Sequence, residues 1–339
     1  MSTNTRETAS LPSTINPVEQ LALLTGSDLG AVDVVIHSRM ASEVLLIPQV
    51  SQHLVDSGGK RLRPLITLAA ARHYGYSGDS HVKLAAAVEF IHTATLLHDD
   101  VVDESALRRG LPAANVLWGN KSSILVGDFL FSRAFQLMVE IGSPAVLNVL
   151  ANASAVIAEG EVMQLRSAKN LSITEADYLN VITAKTAALF AAAAEAGAMA
   201  AGAPREQYEA LRDYGRNLGI AFQLVDDALD YSGRQAVMGK SVGDDFREAK
   251  VTLPVILTLH RASEEERRFW RKTIEVGVQE EGDLSRAIEF LERGQALGET
   301  IERARLYARA ARDALSVCAE SEIKSALAEI ADFVVERAY

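Results

Sequence analysis

The chain has 339 residues, with 34 Lys+Arg against 45 Asp+Glu, a formal net charge of −11 and 48% hydrophobic residues. It is long enough to bury a substantial core, and its acidic balance argues against a general nucleic-acid binder, which needs a basic face. One cysteine, Cys318, excludes an internal disulfide framework and a cysteine-rich zinc site, and suits a reducing compartment.

Residues 1–16 are polar, carry no apolar signal stretch and are expected to be mobile. Residues 17–339 are expected to form a single all-α domain. Alanine and leucine, both strong helix formers, dominate, and the eight prolines leave room for long helices. Alternating β-branched runs bounded by turn dipeptides are missing. Gly58-Gly59-Lys60-Arg61-Leu62-Arg63-Pro64 sets three cations on a glycine turn just before a helix, where backbone and side chains can approach an anion. An apolar helical stripe, Leu84, Ala87, Val88, Ile91 and Thr95, then leads into His98-Asp99-Asp100-Val101-Val102-Asp103. Asp99 and Asp103 are i and i+4, so they share one helix face, about 6 Å apart along the axis. Two such carboxylates repel each other and require a cation. Oxygen-only ligands suit Mg²⁺, which keeps waters and binds through one or two carboxylates plus substrate phosphates. Alone, this cluster also fits a solvated helix end. Arg108-Arg109-Gly110 follows, and arginine forks match phosphate oxygens.

The uncharged run 141–158 is interrupted by Gly142, Ser143, Pro144, Asn148 and Asn152. It reads as a buried helix of a soluble, cytoplasmic protein rather than a transmembrane segment, which takes about 20 apolar residues; a loose membrane association stays open. Ser172 and Glu175 fit a capping box that opens the next helix. Lys185-Thr186 lie in an otherwise apolar helix, where a lone lysine usually snorkels to the surface. A second stripe, Tyr208, Leu211, Gly215, Leu218, Phe222 and Val225, runs into Gln223 and then Asp226-Asp227-Ala228-Leu229-Asp230. Asp226 and Asp230 again share a face. Bundle sites are built from facing helices, and two acidic faces on one cavity would hold several Mg²⁺ ions. Lys240 and Lys250 follow, and Pro254 after Thr252 marks a helix start. No H-E-x-x-H is present, and the seven histidines do not pair at ligand spacing.

The ordered set G-G-K-R-x-R-P, D-D-x-x-D-x-x-x-x-R-R-G, K-T, F-Q-x-x-D-D-x-x-D, G-K and K-x-T-L-P, from Gly58 to Pro254, resembles the trans-isoprenyl diphosphate synthases. Ile91–His98 and Glu159–Leu165 are most similar to the long-chain bacterial branch, the octaprenyl, solanesyl and decaprenyl diphosphate synthases. The resemblance implies an all-α isoprenoid-synthase-type bundle around a deep central cavity, and a homodimer. It implies Mg²⁺-dependent, repeated condensation of isopentenyl diphosphate with an allylic primer, farnesyl or geranylgeranyl diphosphate. The product would be a long-chain all-trans polyprenyl diphosphate, octaprenyl to decaprenyl, for a quinone side chain such as that of ubiquinone.

By the same resemblance, Asp99, Asp103 and Asp226 would hold three Mg²⁺, with Asp100, Asp227 and Asp230 completing the acidic shell. Arg108, Lys185 and Lys240 would contact the allylic diphosphate. Gly59, Lys60, Arg63, His92 and Arg109 would bind isopentenyl diphosphate. Thr186 and Gln223 would lie near the allylic carbon, and Lys250 would help close the site. Two positions depart from the pattern. Ala249 stands where relatives often have glycine, and Arg337 is a lone arginine where short-chain relatives end in a basic cluster; no substrate contact is assigned to it.

Ala94 and Thr95 lie five and four residues before Asp99, about one helical turn below it. Short-chain members place an aromatic floor there. Both residues here are small, so a long product is expected. Three other readings compete: another class I prenyl enzyme (a terpene cyclase or head-to-head synthase), an accessory subunit of a heteromeric synthase, and an HD-type phosphohydrolase built on His98-Asp99. The Gly58–Pro64 turn and Arg108-Arg109 oppose the first, the intact acidic motifs the second, and the lack of supporting histidines the third.

Overall fold

The computed structural model describes residues 15–56, 58–232 and 242–337. Among these the chain is helical almost throughout: α1 (Pro17–Leu24), α2 (Asp28–Met40), α3 (Leu46–Asp56), α4 (Leu62–His73), α5 (Ser80–Val102), α6 (Ala114–Trp118), α7 (Asn120–Ile141), α8 (Pro144–Ser167), α9 (Glu175–Ile182), α10 (Ala188–Ala200), α11 (Arg205–Asp230), α12 (Asp244–Arg247), α13 (Leu253–Arg261), α14 (Glu264–Trp270), α15 (Asp283–Arg293), α16 (Ala296–Ala314) and α17 (Glu322–Glu336). A π-helical turn, Thr183–Ala187, joins α9 to α10. The all-α expectation therefore holds, with one local exception. Leu107–Arg108 (β1) and Leu111–Pro112 (β2) form a two-residue hairpin.

Two hydrophobic cores share α4 and α10. Phe190, Ala194 and Ala198 of α10 face a core with α11 and α13–α17, while Leu189, Ala192, Ala193 and Ala196 face another with α2, α5, α7 and α8. A helix apolar on nearly every side belongs in the interior, and α10, with Glu195 its one charged residue, has no exposed position. Its small residues let neighbours approach to backbone contact: a Cβ on Gly197 would lie 2.4 Å from the carbonyl oxygen of Thr67.

Three local expectations need correction. The capping box that opens α9 is Thr174 with Asp177, not Ser172 with Glu175. The backbone turns extended at Thr174 (φ −88°, ψ 161°), where its hydroxyl accepts from the Asp177 N–H, whereas the Ser172 N–H is taken by the Asn170 side chain. The uncharged run 141–158 is not a fully buried helix. In α8 only one stripe, Val146, Leu150, Ala153, Ile157 and Gly160, is buried, and the opposite face is open. By length and composition alone, Pro144–Ser167 and Glu175–Ala200 could each span a membrane, but the second is built into both cores. Third, Lys185 does not snorkel to the outer surface but turns inward, as described below. Pro254 does sit in the first turn of α13, behind Thr252.

Candidate active site

Both acidic motifs fall at the C-terminal ends of long helices, α5 and α11. A helix C-terminus carries partial negative charge and disfavours carboxylates, so neither cluster stabilises its own helix. The six aspartates are of two kinds. Asp99, Asp103 and Asp226 each face a basic side chain from elsewhere: Lys185 Nζ is 3.6 Å from Asp99, Lys250 Nζ donates to Asp103 at 2.9 Å, and Arg337 Nη2 donates to Asp226 at 2.9 Å. The other three are buried. Asp100 is fully buried and accepts from Arg108 Nε at 2.9 Å and from its Nη2. Burial raises the Asp100 carboxyl while Arg108 pulls it back. Asp227 accepts from the Tyr178 hydroxyl and, at 2.7 Å, from Gln223 Nε2. Asp230 accepts the backbone N–H groups of Asp244 (3.2 Å) and Asp245 (3.0 Å), which anchors the start of α12. Burial pushes both of these carboxyls up.

The turn before α4 separates its three cations. Arg61, at φ 48°, turns to Glu89 (2.8 Å) and Asp33 (3.5 Å) and ties α4 to α5 and α2. Arg63 is packed over the Phe190 ring at 4.2 Å and donates to His92 Nε2 at 3.2 Å. Burial draws its guanidinium down to about 10, against the pull of Glu89 and Asp226, and it stays charged at neutral pH. Burial and the surrounding arginines hold His92 neutral, as its acceptor role requires. Lys60 lies 5.3 Å from the centre of the Phe333 ring of α17. Gly59 abuts Arg109 so closely that a Cβ there would sit 2.9 Å from Nη1. Arg109 (φ 53°) and Gly110 (φ 79°) are the two left-handed residues of the β1–β2 hairpin turn, the geometry such tight turns prefer. One hairpin thus delivers Arg108 to Asp100 and Arg109 to Gly59.

The π-helical turn links the two acidic helices. Lys185 reaches Asp99 on α5 and donates to Glu161 of α8 at 2.8 Å. The next residue, Thr186, donates to Gln223 Oε1 on α11 at 2.8 Å. Such widened turns recur at functional sites. Lys250 binds Asp103 and Glu248; burial opposes its charge, but Asp103, Glu248 and Asp245 together raise it. It follows Ala249, which sits at φ 53°. That left-handed conformation suits glycine, so the alanine is accepted there with some backbone strain. Lys240 lies outside the described residues. Ala94 is fully buried and Thr95 half-buried, its hydroxyl turned to the His92 carbonyl at 2.8 Å. His98 points to the Ile124 carbonyl of α7, while His53 and His73 bond Pro112 and Ser321, so these three histidines do not converge.

Sequence reasoning overlooked Tyr178, Glu161 and Arg337 as site residues. Tyr178 and Arg337 carry no motif signal. Glu161 was visible only as part of the run 159–165. Burial, and next Asp99, push its carboxyl up. Among the described residues no three acidic or histidine side chains converge to cage an ion by themselves. That donor set still fits Mg²⁺, because the ion draws most of its ligands from water and phosphate. Asp99, Asp103 and Asp226, each paired with one cationic side chain (Lys185, Lys250 and Arg337), are the carboxylates that could serve, and oxygen is their only donor type. Carboxylates and cations thus share one region, Asp226 with Lys60 and Arg63, and Asp99 with Lys185 and the nearby Asp100–Arg108 pair, an arrangement suited to an anion that arrives with cations.

Comparison with known proteins agrees with this chemistry. The sequence model of the polyprenyl synthetase family matches residues 44–291. The octaprenyl diphosphate synthase of Escherichia coli is 45% identical over 320 residues, 94% of this chain and 99% of that one. Two crystal structures superpose closely. A polyprenyl synthase from Caulobacter crescentus, complexed with calcium and isoprenyl diphosphate, has a TM-score of 0.93 at 52% identity, covering 97% of this chain and 100% of that one. A decaprenyl diphosphate synthase from Rhodobacter capsulatus has a TM-score of 0.91 at 54% identity, covering 95% and 100%.

Proposed function

The chain belongs to the polyprenyl synthetase family, and from that premise we propose that it is a prenyltransferase making long-chain all-trans polyprenyl diphosphates. It would add isopentenyl diphosphate repeatedly to an allylic primer, farnesyl or geranylgeranyl diphosphate, giving an octaprenyl to decaprenyl product. One observation carries the reading: adjacent residues Lys185 and Thr186 join Asp99 of α5 to Gln223 of α11, so an anion-binding lysine and a neutral polar pair lie side by side. The alternatives fit less well. A cyclase has no use for the basic Gly58–Pro64 turn, and an accessory subunit none for two intact acidic clusters.

In this reading Asp99, Asp103 and Asp226 hold the metal, with three Mg²⁺ as the proposed number. Bound Mg²⁺ supplies neutralisation of the charge that builds on the leaving diphosphate. Lys185 and Arg108 take oxygens of the allylic diphosphate, Lys240 is assigned the same partner, and Lys250 helps close the site. Lys60, Arg63, His92 and Arg109 hold isopentenyl diphosphate beside Gly59, where the missing side chain leaves room for Arg109. The C–O bond of the primer ionises, and the oxygens of Thr186 and Gln223 face the allylic cation as preorganised dipoles. The held double bond attacks it, and a proton leaves to the departing diphosphate. Water has to be kept from the site, because it would quench the cation.

The test is incubation with labelled isopentenyl diphosphate, farnesyl diphosphate and Mg²⁺, followed by sizing of the dephosphorylated product. Cyclic or hydrocarbon products, or no elongation without a partner protein, would reject the reading. Product length gives a second test. Ala94 is buried one turn below Asp99, and Ala94→Phe is expected to shorten the product to roughly fifteen to twenty carbons, since a ring placed on that turn would close the path of the growing tail. An unchanged length distribution would dismiss Ala94 as a determinant.

A homodimer is part of the same proposal. Leu125 and Val139 of α7 and Val156, Val162 and Leu165 of α8 are exposed, an apolar surface of the kind that marks an interface, and a second copy is its proposed occupant. Sedimentation equilibrium should give twice the chain mass; a single-chain mass at micromolar concentration would count against it. Cytoplasmic location and loose membrane association during product release are read from composition, and supply of a quinone side chain from the family resemblance; cell fractionation with quinone analysis of a deletion strain would test them.

A further inference from the structure

Tyr178 lies on α9, 49 residues before Asp227 in sequence, and its ring is buried. Its hydroxyl donates to Asp227 Oδ2, and Asp227 is itself 3% exposed. The other carboxylate oxygen accepts from Gln223 Nε2 at 2.7 Å, and Gln223 Oε1 accepts from Thr186 Oγ1 at 2.8 Å. The four side chains form one directed line. In this geometry Gln223 presents its N–H₂ to Asp227 Oδ1 and its amide oxygen to the Thr186 hydroxyl, whose single hydrogen is spent on it. What remains open on Thr186 Oγ1 and Gln223 Oε1 is lone pairs, while the amide nitrogen, turned to Asp227, keeps its second hydrogen.

We propose that Tyr178 is a positioning residue, which through Asp227 fixes the Gln223 amide and the Thr186 hydroxyl with their oxygens free to face a developing cation. The inference rests on the proposed function and adds to it a residue that touches no substrate. It also gives Asp227 a different part from metal ligation. Both of its oxygens are held by protein donors, and the residue is buried. If Tyr178 loses its hydroxyl, Asp227 keeps a buried oxygen without a donor. It can regain one only by turning, and the Gln223 amide is then released. An amide rotated by half a turn would present N–H groups where oxygens are needed.

The experiment compares wild type, Tyr178→Phe, Asp227→Asn, Gln223→Leu and the Tyr178→Phe/Gln223→Leu pair in the full-length enzyme, with isopentenyl and farnesyl diphosphates and Mg²⁺. Tyr178→Phe is expected to lower kcat roughly tenfold to a hundredfold, the cost of a displaced catalytic group, with both KM values within about twofold. In the Gln223→Leu background the same change should cost no more than about twofold, because the group it orients has gone. Asp227→Asn keeps the volume but reverses the hydrogen-bond direction. It should give a kcat loss at least as large, and it decides the matter if Tyr178→Phe fails to fold. Full kcat in Tyr178→Phe or Asp227→Asn, a loss confined to KM, or additive losses in the double variant would overturn the inference. An active wild type with those results would leave the proposed function standing, whereas a wild type that does not elongate would overturn both.

Discussion

Replacing Asp99 by asparagine is expected to lower kcat for elongation by about a thousandfold, without loss of thermal stability. The substitution keeps the side-chain volume and removes one anionic ligand. Asp99 and Asp103 share a face of α5 at its C-terminal end, so their charges repel each other and meet the negative end of the helix dipole. Lys185 is shared between Asp99 and Glu161, and so compensates neither fully. Relieving that repulsion should leave the unfolding temperature unchanged or raise it, the usual relation between a strained site and its scaffold. The measurements are steady-state kinetics over a Mg²⁺ titration and a thermal melt. A variant retaining a tenth of wild-type kcat at saturating Mg²⁺ would remove Asp99 from the metal-binding role. A large fall in melting temperature would mean that Asp99 stabilises the fold.

Gly215→Ala is expected to destabilise the protein by about 3 kcal/mol, at the upper end of what one extra methyl costs in a packed core. A Cβ at Gly215 of α11 would lie 2.3 Å from the carbonyl oxygen of Phe190 on α10, and one turn on, a Cβ at Gly219 would lie 2.6 Å from Ala187 Cα. The obstacle is backbone in both places. α10 cannot retreat, because its far side is packed into the second core. Gly298→Ala is the control: it lies within α16 with nothing inside 4 Å, and should stabilise by about 0.5–1 kcal/mol through helix propensity alone. Urea unfolding would read both as midpoint shifts at constant slope. Equal midpoints for Gly215→Ala and wild type would show that the two helices can separate freely.

The outcome at Ala249 shows how a departure from a pattern acquires a reason. The sequence marks it only as an alanine where glycine is common. The structure places it at φ 53° immediately before Lys250, which binds Asp103 across 147 residues of chain. The same holds for Arg337. It sits 111 residues from Asp226 and stacks 4.0 Å over Phe222, so the C-terminal helix reaches the second acidic cluster with one arginine instead of a basic run.

From the sequence by itself came the all-α class, the stripes that bury α5 and α11, and the placing of Asp99 with Asp103 and of Asp226 with Asp230. Helical periodicity decides which residues share a face, and it acts over four residues, so one dimension suffices. Only the tertiary structure decided what each face meets. It divided six similar aspartates into three paired with the cations Lys185, Lys250 and Arg337 and three buried ones held by Arg108, by Tyr178 with Gln223, and by the N–H groups of α12. It turned Lys185 inward, sent Arg61 away from its neighbours to Glu89, and built a hairpin around Arg109 and Gly110. A carboxylate's role depends on its burial and on which donors reach it. Those are properties of packing between distant segments, which no local spacing records.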